Sequence, residues 1–267
     1  MSSEVQRFLF NYALYWKTMR AYGGGKSWRG LPIRECGEPL ALVPQELCHP
    51  FYVHEMHLAC DERVFLRERL FTMFLRARDI LIQHGFDLKI YDGWRSIELQ
   101  EKIFWIYLKQ FTVKRFGLLD HFSEMNAPGE IRAAFMDLPE VTQATLKEAN
   151  RQYVSWPSSD PICPSPHVTG GSIDVWLYKD AQPVTLGIPF DWMEEDAGAF
   201  YHLKLFRKRF AGNDRLVARN RNLLLWAMAK AGFSCYGPEI WHYNFGNQMD
   251  ALVTGKMAIY SYIEPVV

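Results

Sequence analysis

The stretch SIDVWLY, residues 172–178, sets the tightest limit on the fold. Ile173, Val175 and Leu177 fall on one face, and Ser172, Asp174 and Trp176 on the other. That is the period of two of a β-strand. Gly170-Gly171 just before it let the chain turn sharply into the strand. Other strand signals are short: LKIYD (88–92), then FSCY and EIWHYNF within 233–245, split by Gly237-Pro238. Helical patterns occupy most of the rest. An aromatic helix spans about 5–19. Asp61 caps a helix through about His84, stopped by Gly85. Ser96 is the N-cap of a helix over 96–111, with Glu98 in its first turn. A strong amphipathic helix covers 213–232 and ends at Gly232. Residues 117–160 read as an irregular excursion with one helix, about 139–152, and LGIPFDW (186–192) reads as a loop. Helices and strands do not alternate as regular βαβ units. The expected class is α+β, with a small, mostly antiparallel central sheet flanked by helices.

Charge and cysteine usage narrow the function. Lys+Arg and Asp+Glu are both 30, so there is no basic excess for a nucleic-acid partner. The five cysteines are widely spaced with no CxxC pair, which argues against a disulfide framework or cysteine-held zinc and for a cytoplasmic location. The N-terminus lacks the pattern of a signal peptide, and no window approaches 18 uninterrupted apolar residues, so no membrane span is expected.

Three segments carry chemistry. In SPHVTGGSID (165–174), the loop residue His167 can fold back over the strand that bears Asp174, giving two ligands for a zinc ion. In GPEIWHYNFG (237–246), Gly237-Pro238 breaks the strand, so Glu239 sits on the entering bend and His242 on the strand proper. His242 is then the third ligand, and Glu239 stays near the metal as a general base for its water. In IYDGWRS (90–96), Arg95 is presented at a helix start, where its fixed charge can stabilise an oxyanion. Trp192 and Trp241, next to these motifs, are expected on the pocket wall. HEMHLAC (54–60) has Leu58 where a helical zinc motif needs histidine, and GGGKS (23–27) lacks the upstream glycine of a phosphate loop, so neither is read as a site. The basic run 207–209 is expected to be a solvated helix face.

Together YDGWR (91–95), SPHVTGGSID, GIPFD (187–191) and EIWH (239–242) resemble the motifs of the zinc D-alanyl-D-alanine dipeptidases, relatives of the D,D-carboxypeptidases with the hedgehog-type metallopeptidase fold. The resemblance spans roughly residues 60–247. It implies one zinc per chain on His167, Asp174 and His242, Glu239 as base, and Arg95 as transition-state stabiliser. It sets Asp92, Ser165 and Asp191 near a bound D,D-dipeptide, D-Ala-D-Ala first, with Asp191 gripping the ammonium end. Ser172 stands where the family usually has alanine, and Ile240 replaces a tryptophan. The expected organisation is a catalytic domain over 51–267 with an N-terminal extension, 1–50, packed on it. A D,D-carboxypeptidase acting on peptidoglycan stem peptides is the alternative enzyme, and a zinc-containing peptide-binding protein without activity is the alternative of another class.

Overall fold

The computed structural model describes residues 3–150, 154–203 and 214–265. A short sheet pairs β1 (Leu40–Leu42) with β2 (Phe65–Arg67). The main sheet is built from β3 (Asp87–Asp92), β4 (Ser172–Lys179), β5 (Gln182–Pro183), β6 (Ser234–Cys235) and β7 (His242–Asn244). Its order is β3-β4-β7-β6, with β5 hairpinned onto the end of β4, and every pairing is antiparallel. β4 is central, so both its faces are covered: Ser172 to Tyr178 are all buried. The face that alternation marks as polar is therefore not a solvent face.

The register places the functional strand positions side by side. Asp174 lies opposite His242 on one flank and Asp92 on the other. A bulge between Ile90 and Asp92 shifts the ladder by one residue and sets Asp92 against Asp174.

Helices α1 (Ser3–Gly23), α2 (Phe51–His54), α3 (Glu68–Ile82) and α4 (Ile97–Tyr107) precede the central strand, as do α5 (Leu119–Phe122), α6 (Pro128–Met136) and α7 (Glu140–Asn150). After it come α8 (Asp214–Ala231) and α9 (Gln248–Thr254). α3 packs on α8, and their apolar faces meet through Leu70, Phe74, Ala77, Leu224 and Met228 in the main core. α1 lies against α8 and α9. Ser96 caps α4 by accepting from the Leu99 amide at 3.1 Å. α4 then runs into a wider turn of π type over Leu108–Val113.

Two expectations need correction. Asp61 does not cap a helix; it accepts from the Arg63 amide and side chain. Residues 65–67 join β1 as a strand, and α3 begins only at Glu68. The excursion 117–160 is not irregular with a single helix: α5, α6 and α7 all fall within it. α6 starts at Pro128, a residue pre-set for the first helical position, and buries Ile131, Ala134 and Phe135 at helical spacing. α7 is the helix expected over about 139–152; α5 and α6 are too short for a periodic pattern to stand out. The end of the expected helix at 151–152 and the run 207–209 lie outside the described residues.

Arg67 ties the small sheet to the turn before β4. It is 1% exposed. Its Nε donates to the Thr169 carbonyl at 2.8 Å and its Nη2 to the Ser261 carbonyl at 3.1 Å, while Glu35 pairs with the guanidinium at 3.1 Å. The turn itself is tightly packed. Gly170 has φ +66°, and a Cβ on it would meet Leu40 at 2.5 Å; one on Gly171 would meet the Phe245 carbonyl at 2.8 Å. Arg67→Met leaves buried carbonyls without donors. It is expected to lower unfolding free energy by roughly 3 kcal/mol, read by urea denaturation.

Candidate metal centre

The turn after Pro166 carries His167, β4 carries Asp174 and β7 carries His242. One ligand atom from each lies within 4.8 Å of the others, and all three residues are buried. His167 Nε2 faces His242 Nδ1 at 3.2 Å. Asp174 Oδ2 is 3.5 Å from His167 Nε2, and its Oδ1 is 3.0 Å from His242 Nδ1.

The outer nitrogens explain why the inner ones face each other. His167 Nδ1 donates to the Gly93 carbonyl at 2.8 Å. His242 Nε2 donates to Asn244 Oδ1 at 3.1 Å. Both acceptors hold a proton on the outer nitrogen, so each ring turns a lone pair inward. Asn244 Oδ1 is fixed by the Ser172 hydroxyl and the Asn247 amide, each at 2.8 Å. Two lone pairs and a carboxylate so close together require a positive charge between them. Asp174 Oδ1, buried and without a hydrogen-bond donor among the described residues, is the matching orphan. The donor set of two imidazole nitrogens and one carboxylate oxygen fits a divalent transition metal.

The electrostatics agree. Burial, then the Arg95 charge, pushes the His167 pKa down to about 3 and keeps that ring neutral. Burial also opposes charge on His242, but Asp174 and Glu239 outweigh it and raise its pKa. Burial would raise Asp174, yet the two imidazoles pull it below its ordinary value.

Glu239 stands beside this triad, 3.8 Å from His242 Nδ1. It sits on the bend before β7, its amide bonded to the Tyr236 carbonyl. Its carboxylate makes no hydrogen bond to any described residue. Burial raises its pKa to about 8, with His242 and Arg95 pulling the other way.

Arg95 is 5% exposed. Its Nε and Nη2 grip Asp92 Oδ2 at 2.9 and 2.5 Å, its Nη1 donates to Gln100 at 2.8 Å, and its Nη2 reaches the Tyr52 hydroxyl at 3.5 Å. One N–H of Nη1 remains from the five-donor fork. Asp191, on the loop before α8, adopts φ +62°. Its Oδ2 accepts from the Tyr52 hydroxyl at 2.9 Å and from the Tyr107 hydroxyl. Burial raises its pKa to about 6 although both hydroxyls stabilise the anion. The loop is pinned by Arg221 of α8, fully buried, which donates to the carbonyls of Leu186, Asp196 and Gly198.

These groups line a cavity of about 60 Å³, whose wall includes His167, Asp174, His242, Glu239, Arg95 and Asp191 together with Tyr52, Tyr236, Trp241, Trp28 and Arg29. Such a volume holds only about four or five waters.

Several expected positions lie elsewhere. Asp92 is behind Arg95 rather than on the wall. The Ser165 hydroxyl is taken by the Trp156 carbonyl and the Ser158 amide, and Ser165 lines a neighbouring groove. Trp192 is 39% exposed and bonds Asp196 instead of entering the cavity. Ser172, the departure from alanine, orients Asn244 and does not touch the cavity. In the 54–60 segment, His54 pairs with Glu62 at 3.4 Å and His57 with the Val53 carbonyl, away from the triad.

Reading the sequence missed Tyr52, Tyr107, Gln100 and Asn244. Only Asn244 carried a local signal, since it lies two residues beyond His242 on the same strand face.

The family described as D-Ala-D-Ala dipeptidase, peptidase M15, matches residues 105–260 of this chain. That stretch contains the triad, Glu239 and Asp191; Asp92 and Arg95 precede it. A D-alanyl-D-alanine dipeptidase of Synechocystis sp. is 27% identical over 241 residues, covering 84% of this chain and 88% of the relative.

Proposed function

Because the chain belongs to the D-Ala-D-Ala dipeptidase family of metallopeptidases, we propose that it hydrolyses D,D-dipeptides, D-Ala-D-Ala foremost, with zinc held by His167, Asp174 and His242 and Glu239 as general base. One observation carries this reading. Inward lone pairs on three buried ligands lie next to a buried carboxylate with no hydrogen-bond partner among the described residues, inside a cavity sized for a few small groups. Bound there with three protein ligands, zinc supplies Lewis acidity, acidifying a water and polarising a carbonyl.

The chain's own residues supply the rest. Glu239 accepts a proton from the attacking water as the O–C bond forms. It delivers that proton to the amine nitrogen as the C–N bond breaks. Burial keeps its pKa high, a cation on the triad lowers it, and the balance suits proton exchange near neutral pH. Arg95, its guanidinium held rigid by Asp92 and Gln100, offers its remaining N–H to the developing oxyanion. Asp191, braced by two tyrosine hydroxyls, pairs with the substrate ammonium.

The same proposal covers organisation and place of action. We take 51–267 as the catalytic domain and 1–50 as an extension packed on it, which the seating of α1 on α8 and α9 supports. Five free cysteines, Cys48 and Cys235 buried among them, support a cytoplasmic location. No helix among the described residues is long and apolar enough to cross a membrane.

The test is a substrate screen with zinc present: D,D-, L,D- and L,L-dipeptides, an N-acetylated D,D-dipeptide, and a pentapeptide ending in D-Ala-D-Ala. Free D,D-dipeptide is expected to be cleaved at least about a hundredfold faster than its N-acetyl form, because acetylation leaves the Asp191 charge buried and unpaired. Preference for the pentapeptide would replace this proposal with the carboxypeptidase. No hydrolysis of any of them would leave a binding protein.

A further inference from the structure

No described residue on the outer face of α1 lines the cavity or joins the core. We infer that this face is a docking surface for an anionic lipid bilayer, on which the protein lies peripherally without spanning it. Its occupancy is independent of which substrate the cavity takes.

The inner side of α1 is committed to the fold. Asn11, fully buried, donates from its amide to the Asn222 carbonyl at 2.8 Å and to the Asn222 side chain at 3.0 Å. Thr18, also fully buried, lies 3.6 Å from the Cys235 sulfur. Leu14 and Tyr15 pack against the main core, and Tyr22 meets Tyr236 edge-on. The helix is therefore fixed, and its other side faces outward.

That side is apolar where a solvated helix would be polar. Phe8, Leu9, Tyr12, Trp16 and Met19 are each between 43% and 50% exposed. At about 3.6 residues per turn they share one sector of roughly 100°. Their rings form a ladder along the helix. Phe8 stacks on Tyr12 with centroids 6.3 Å apart, and Tyr12 meets Trp16 edge-on at 6.2 Å. A continuous apolar face left outside the core marks an interaction surface.

Charge identifies the occupant. Residues 1–34 hold six Lys and Arg against one acidic residue, Glu4, in a chain whose basic and acidic totals are equal. Lys17 and Arg20 are exposed beside the stripe, and Lys26 is exposed just past the helix. At the opposite end, Arg215 and Arg219 of α8 line a groove of about 550 Å³ together with Phe8. Glu4 lies 3.8 Å from Arg219, an exposed pair of little strength. Both ends of the stripe are thus basic. A second copy of the chain fits poorly there, because parallel and antiparallel pairings of two stripes both set cations against cations. Headgroup phosphates meet the same cations with opposite sign, while Phe8, Leu9 and Met19 enter the acyl boundary. Tyr12 and Trp16 suit the headgroup level, since each has an apolar body and a polar edge. The long stems of Lys17 and Arg20 reach phosphates from beside the stripe.

The test is co-sedimentation of the full-length protein with vesicles of phosphatidylcholine alone, or with phosphatidylglycerol as about a third of the lipid. The wild type is expected to bind the anionic vesicles at least about tenfold more tightly than the neutral ones, and to be released as salt screens the headgroups. Lys17→Gln with Arg20→Gln should weaken binding about 10- to 30-fold. Leu9→Ser with Trp16→Ser should weaken it at least about tenfold. Both variants should keep the wild-type Tm, because the changed side chains lie on the outer face. No binding to anionic vesicles, equal binding to neutral ones, or wild-type binding by both variants would overturn the inference. So would a dimer in analytical ultracentrifugation that Leu9→Ser with Trp16→Ser dissolves, which would give the stripe to a second copy.

Discussion

Glu239→Ala protein is expected to carry zinc at the wild-type ratio and to turn over D-Ala-D-Ala roughly a thousandfold more slowly. The separation of the two effects follows from geometry. Glu239 is 3.8 Å from His242 Nδ1 and outside the triad, so its removal takes no ligand from the metal. It does take away the one carboxylate, among the described residues of the wall, that is neither a triad ligand nor bound to a tyrosine. General acid–base groups contribute about 10²- to 10⁴-fold, and here one group serves both proton transfers. Metal content by atomic absorption and kcat by amine release read the two outcomes separately. A Glu239→Ala enzyme with kcat within about tenfold of wild type would remove the general-base assignment.

His242→Ala should behave differently and lose metal and activity together. Two inward ligands, His167 and Asp174, would remain, and the Asn244 amide that oriented the missing ring would have nothing to hold. In the wild type, added zinc should raise Tm, because a ligand that binds only the native state stabilises it by mass action. In His242→Ala that rise should vanish at the same zinc concentration. Equimolar zinc in purified His242→Ala, with a wild-type Tm response, would mean the cation sits on other residues.

The fold was partly legible before any coordinates. β4, α4 and α8 lie close to where local patterns placed them, because their signals are confined to one segment: alternation in SIDVWLY, a cap at Ser96, a glycine stop at Gly232. The strand at 65–67 was not legible. It exists only because Leu40–Leu42 pairs with it, and that partner lies more than twenty residues upstream. α5 and α6 were blurred for a different reason: each is too short to show a periodic face, whereas the longer α7 was legible.

At the centre, residue chemistry determined the candidate ligands. Two histidines, an aspartate and a nearby glutamate, set beside strand breaks, were enough to suggest a metal with a base beside it. Spatial closure decided everything that tunes them. Tyr52 from α2 and Tyr107 from the end of α4 meet at Asp191; Ser172 and Asn247 converge on Asn244 to turn the His242 lone pair inward; Arg29 reaches the cavity from beyond β1. Apart from Asn247 to Asn244, three residues apart, these contacts join segments far apart in the chain. A local sequence pattern encodes only what lies a few residues away, whereas burial and hydrogen-bond satisfaction are settled by whichever distant segment packs against the site.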